Sequence, residues 1–162
     1  MLLAPDKFKG CLAATEVCTE LRTGLLNGRS AVDVVLRPMG DGGDGTLEAA
    51  LAAGFDPVMV AAAGPLGEAR EARIGIRDST ALVELAEICG LARLPGQQRS
   101  AMQASTYGVG LAMRAALERG CRDLVIGIGG SASTDGGMGA AAALGPGSSI
   151  RTAVPYGPAV RV

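Results

Sequence analysis

Two short apolar runs in this chain break off into Asp/Gly-rich loops, and each loop is followed by a helix-like stretch. Val32 to Leu36 leads through Pro38 into Gly40-Asp41-Gly42-Gly43-Asp44-Gly45-Thr46, and Asp44 to Ala53 then reads as a helix. Leu124 to Ile128 feeds Gly129-Gly130-Ser131-Ala132-Ser133-Thr134-Asp135-Gly136-Gly137, and Gly137 to Leu144 is again helical. Strand–loop–helix alternation points to an α/β fold. We expect a mostly parallel sheet flanked by helices. Met1 to Ala4 reads as a further strand end and Thr15 to Leu26 as a helix closed by Asn27-Gly28.

The middle differs. Val58 to Ala62, Arg70 to Ile76 and Ala81 to Leu85 read as consecutive strands with no clear helix between them. They suggest part of a second, mixed α/β lobe. The expected divisions are 1–57 (first part of a Rossmann-like lobe), 58–104 (second lobe), 105–145 (strand, Gly-rich loop and helix) and 146–162. That last stretch is rich in Pro and Gly and is expected to be an irregular tail.

Composition excludes several functions. The formal net charge is −1, and there is no Trp, with two Tyr and two Phe. Nucleic acid and anionic membranes call for basic patches, and single strands for aromatic platforms, so neither is expected as a partner. No apolar run is long enough to span a bilayer. Cys11, Cys18, Cys89 and Cys121 are scattered without C-x-x-C spacing, and no secretory leader is apparent, so a reduced cytoplasmic protein is expected. There is no histidine. Histidine-based nucleophilic dyads and His-ligated zinc are therefore ruled out. Carboxylates, hydroxyls and carbonyls remain, a ligand set that suits Mg²⁺.

Positive charge is distributed unevenly. Thirteen arginines are spread along the chain, but the only two lysines, Lys7 and Lys9, share the segment Ala4-Pro5-Asp6-Lys7-Phe8-Lys9-Gly10. An ammonium group is a compact charge with three donors, suited to phosphate. Glycine-rich loops before helices offer backbone N–H groups to anions. The three loops together suggest phosphoryl transfer. The Gly129–Gly137 loop is not a P-loop, because Gly-Lys-Ser/Thr is absent. It is a poor dinucleotide fingerprint too, because no acidic residue follows Asp135. Asp41, flanked by glycines, reads as a general base or metal ligand. Asp44 reads as a helix N-cap. Glu84 reads as an outward-facing strand position.

Five segments carry a family resemblance: Ala4–Gly10, Gly40–Thr46, Gly64-Pro65-Leu66-Gly67, Ser105-Thr106-Tyr107-Gly108-Val109-Gly110 and Gly127–Gly137. In this order and spacing they resemble the bacterial glycerate kinase family over residues 1 to 145. The resemblance implies a two-lobed enzyme that uses ATP and Mg²⁺ to phosphorylate a hydroxyl of glycerate. It implies Lys7 and Lys9 on phosphate or carboxylate, with Lys7 among the catalytic groups. It implies Asp41 and Asp135 as base or Mg²⁺ ligand, the assignment between them open. It places Gly42, Gly43, Gly129, Gly130, Ser131, Ser133 and Gly136 around an anion. The chain departs from the pattern at Lys7, where Ser is common, and at Leu111, where Glu is usual. Relatives are more than twice as long, so a truncated member is expected, with an uncovered sheet edge and marginal stability. A non-catalytic nucleotide- or anion-binding module is the alternative, and a homo-oligomer is left open.

Overall fold

The structure, a computed structural model, describes residues 1–28, 32–94 and 100–145, and the backbone of 159–161. The strands are β1 (Leu2–Leu3), β2 (Val35–Leu36), β3 (Asp56–Ala63), β4 (Ala69–Arg77), β5 (Thr80–Glu84), β6 (Asp123–Gly127) and β7 (Ala159–Arg161). The helices are α1 (Ala14–Gly28), α2 (Thr46–Ala52), α3 (Leu85–Cys89), α4 (Tyr107–Glu118) and α5 (Met138–Leu144).

β1 and β2 form a parallel pair joined through α1, with Leu2 opposite Val35. The other strands form one sheet in the order β3-β4-β5-β6-β7. The α/β class holds, but parallel pairing is limited to β1–β2 and β5–β6. The pairs β3–β4, β4–β5 and β6–β7 are antiparallel. The physical reason lies in the connections. Gly64 to Glu68 and the Asp78-Ser79 turn are too short for a parallel crossover, which takes a dozen residues or more. Asp78 adopts φ 53°, in the left-handed region that Asp tolerates at such turns. The chain between β5 and β6 is long enough, and it carries α3 and α4.

Side-chain alternation explains why β5 is buried along its length. Ala81 and Val83 point to one face, where they join Ile74, Ala112, Ala116 and Leu124 under α4. Leu82 points to the other face and meets Leu47 and Ala50 of α2, with Val125 beside it. A strand covered on both faces reads as continuously apolar. Segments 58–104 and 105–145 share one sheet and one core. Ala159–Arg161 pairs along the free edge of β6, where the tail was expected to be irregular; an open edge offers unpaired backbone groups to any extended segment. The expectations for 146–158 lie outside the described residues. α3, missed in the sequence reading, is five residues long and buried. On the β1–β2 side, Met1, Leu2, Leu21 and Val35 are exposed.

Glu84, at the end of β5, is 4% exposed and does not face solvent. Its carboxylate accepts the Gly45 N–H at 3.2 Å and the Leu47 N–H at 2.7 Å. It caps α2 from the same face of β5 as Leu82, the task expected of Asp44. Gly45 is the N-cap residue, with φ 87° and no side-chain cap. Burial raises the Glu84 carboxyl above its usual range, opposed by the Leu47 and Gly45 N–H groups and reinforced by the charges of Asp44 and Glu87. Glu84→Ala leaves two N–H groups without their acceptor. It is expected to cost about 2–3 kcal/mol in urea unfolding, with Glu84→Gln falling between it and the parent chain.

Candidate active site

The three loops singled out in the sequence meet at the carboxyl ends of β5 and β6. The register pairs Glu84 with Gly127, so the Gly-rich loop leaves β6 beside the carboxylate that holds the head of α2. Gly129 N–H donates to the Gly42 carbonyl at 2.7 Å. The two loops touch backbone to backbone. A Cβ on Gly129 would lie 2.7 Å from Gly43 Cα, and one on Gly127 would lie 2.9 Å from the Gly42 oxygen. On the 127–129 side only residues without side chains fit, while on the other side Gly42 is needed for its φ of 88°.

The 40–46 loop is tied internally. Thr46 Oγ1 accepts the Gly42 N–H at 3.0 Å and donates to the Gly43 carbonyl at 2.8 Å. Asp41 Oδ1 accepts the Gly43 N–H at 3.0 Å and Lys7 Nζ at 3.3 Å. The Gly43 N–H, then the hydrogen bond and charge of Lys7, hold Asp41 below the usual carboxylate range. Its Oδ2 has no partner among the described residues. The Lys7 side chain is 13% exposed against 49% for Asp41, so the ammonium sits in the cleft and the carboxylate at its rim.

A cavity of about 310 Å³ opens between the loops, lined by Lys7, Lys9, Gly10, Asp41, Gly43, Asp44, Gly129 and Gly130. Both lysines of the chain are in it. Gly10 and Asp44 were not among the expected site residues. Asp44 was read as a cap, and nothing in the sequence showed that Glu84 fills that role.

The other expected residues lie further along the loop. Asp135 Oδ2 accepts the Thr106 N–H at 2.7 Å, Thr106 Oγ1 at 2.8 Å and the Gly139 N–H at 3.2 Å. Its Oδ1 accepts the Gly137 N–H at 3.1 Å, with Ser133 Oγ at 3.4 Å. Ser131 Oγ accepts the Ser133 N–H. Gly136 turns the loop at φ 61°. Ser105 N–H donates to the Pro65 carbonyl, which brings the β3–β4 turn to the same place. Asp135, Ser131, Ser133 and Gly136 thus form a knot that locks α4, α5 and the loop together, and none of them lines the cavity. Burial pushes the Asp135 carboxyl up, but the Thr106, Gly137 and Gly139 donors outweigh it and bring it down to about 2.

Among the described residues no three His, Cys, Asp or Glu side chains are grouped to hold a metal ion. Mg²⁺ in phosphate chemistry commonly takes one or two carboxylates and completes its shell with phosphate oxygens and water. Asp41 and Asp44 on one wall fit that need, whereas Asp135 is occupied elsewhere. No helix of the described residues is long and apolar enough to cross a membrane.

Residues 1–151 match the Glycerate kinase family. The chain belongs to that family. The glycerate kinase of Neisseria meningitidis serogroup B is 34% identical over 146 residues, covering 90% of this chain and 39% of that protein. Glycerate 2-kinase of Escherichia coli K12 is 38% identical over 148 residues, with the same 90% and 39% coverage. A crystal structure assigned as glycerate kinase 2 of Salmonella typhimurium LT2 superposes with TM-score 0.77 at 38% identity, over 88% of this chain and 39% of that one. The chain therefore spans 39% of the length of these glycerate kinase relatives.

Three measurements check this geometry. Gly129→Ala is expected to force the loops apart and cost about 2 kcal/mol or more in urea unfolding. Lys7→Met is expected to raise the Asp41 pKa in a carboxyl NMR titration, while the Gly43 N–H keeps it below normal. The folded Asp135 carboxyl binds its proton less tightly than the unfolded one. Its contribution, about 1–2 kcal/mol, is therefore full above about pH 4 and drains away as pH falls towards about 2; Asp135→Asn should remove this part of the pH dependence.

Proposed function

We propose that the Lys7/Lys9/Asp41/Asp44 cavity is a phosphoryl-transfer site, and that the chain carries this part of an ATP-dependent glycerate kinase. The observation behind the reading is the convergence of both lysines with two Gly-rich loops on one cavity. A polyphosphate placed there meets two ammonium groups and the Gly130 N–H, which has no acceptor among the described residues. Phosphoryl transfer requires mainly positioning and charge neutralisation, and these groups supply both.

In this reading the glycerate hydroxyl oxygen attacks the γ-phosphorus of ATP. The bond from that phosphorus to the β,γ-bridging oxygen breaks, and ADP leaves. Lys9, exposed at the mouth, neutralises the incoming anion. Lys7 lies deeper and holds Asp41 in place. Asp41, kept ionised, is a weak proton acceptor and suits the metal-facing side better. Asp44 offers the carboxylate that orients the substrate hydroxyl and receives its proton. Mg²⁺, when bound, would neutralise charge on the phosphate oxygens, with Asp41 as its protein ligand in reach and Asp44 left free to take the proton. Asp135, Ser131, Ser133 and Gly136 act by holding the loop, not by touching the reacting atoms. Four free thiols, three of them buried, fit a reducing cytoplasmic setting.

Incubation with ATP, Mg²⁺ and D-glycerate is expected to give ADP and phosphoglycerate. Asp41→Asn should lower the rate about 100-fold or more. Because the chain spans 39% of its relatives, a second reading is a non-catalytic anion-binding module. Nucleotide binding without ADP formation would select it.

A further inference from the structure

A second cavity of about 300 Å³ adjoins the first and shares Lys7, Gly10 and Asp44 with it. Its other walls differ in chemistry. Phe8, Leu12, Ala13, Ala14 and Ala49 supply apolar surface, and Asp6 and Glu48 supply carboxylates. Phe8 is 61% exposed and Leu12 37% exposed, so both present surface to an incoming group. Backbone bonds fix the rim: Phe8 and Leu12 exchange N–H···O bonds at 3.0 and 3.1 Å, the second from Leu12 N–H to the Phe8 carbonyl. The Ala13 N–H donates to Glu16 and is not available to a ligand.

The two cavities thus form one continuous groove with opposite ends. One end carries the lysines and glycine backbone and takes an anion. The other is largely apolar and adds the acceptors of Asp6 and Glu48, with Lys7 at the boundary between the two. Asp6 uses one oxygen on the Lys7 N–H, and Glu48 uses one on Arg73, which leaves a second oxygen on each. A carboxylate or phosphate beside Asp6 and Glu48, away from Lys7, would be repelled. A flat, neutral group with N–H or O–H donors fits instead. Glycerate is too small and too polar to need an apolar wall.

We propose that this annex holds the nucleoside end of the phosphoryl donor, so that base and ribose lie against Phe8, Leu12 and Ala49 while the phosphates reach past Lys7 into the first cavity. Ribose hydroxyls or an exocyclic amine donate to Asp6 and Glu48. The assignment rests on the kinase reading of the neighbouring cavity.

Cys11 lines the annex and is exposed, whereas Cys18, Cys89 and Cys121 are buried. It is a built-in reporter. The full chain is treated with iodoacetamide, and labelling of Cys11 is followed by mass spectrometry with ATP, with inorganic tripolyphosphate, or with neither. Thermal shift reports binding in each arm. ATP is expected to slow Cys11 labelling at least about fivefold, and tripolyphosphate to bind without protecting it. Leu12→Glu, on an exposed side chain, should weaken ATP about tenfold and leave tripolyphosphate affinity unchanged. ATP that binds and leaves Cys11 unprotected, or equal protection by tripolyphosphate, overturns the annex while the kinase reading stands. ATP that does not bind at all overturns both.

Discussion

The contact between Gly42-Gly43 and Gly127-Gly129 is what the candidate site is built on. Two loops from distant parts of the chain approach until their backbones touch, and one short N–H···O bond joins them. Most of what lines the cavity is placed by this junction. Asp41 and Asp44 stand on one side of it and Gly130 on the other. Lys7 reaches in from the amino-terminal loop and is tied by its bond to Asp41. Side chains at Gly127 or Gly129 would have to be accommodated by moving the facing backbone, which is why glycine is required on that side of the contact.

Two buried or half-buried carboxylates keep the junction in register, and neither faces the cavity. Glu84 anchors the start of α2 to the end of β5. Asp135 gathers donors from α4, α5 and its own loop. The two respond to their surroundings in opposite directions. For Glu84 burial dominates and favours the protonated form. For Asp135 the number of donors dominates and favours the charge. One fold has used the same functional group in two electrostatic settings to brace the two loops.

Much of this was legible in the sequence because it rests on local pattern. β-Branched runs, glycine clusters and helical spacing gave the existence of β6, α1, α4 and α5, and the paired lysines marked the cavity. What was not legible depends on partners far away in the chain. Glu84 interrupts an apolar strand and so reads as solvent-facing. Its burial is explained only by the N–H groups of Gly45 and Leu47, about forty residues earlier, and an unmet donor is costly enough to draw a carboxylate inside. Asp135 sits in a loop that looks like an anion cradle, yet its lone pairs are taken by Thr106 and the α5 backbone. Spacing shows that residue types are suitable; it does not show which of them are already engaged. The parallel sheet was overestimated for a related reason: strand–helix alternation at the two ends was read as one pattern, while the hairpins between them set the pairing.

Because arginine carries the rest of the positive charge, the cleft also holds every side-chain primary amine of these 162 residues. Arginine does not acylate under conditions where an amine does. Lysine modification of this chain, by acetyl donors or by reactive metabolites, therefore cannot be spread over its surface. It is confined to one opening, and a single acyl group there would remove part of the charge on which anion capture depends.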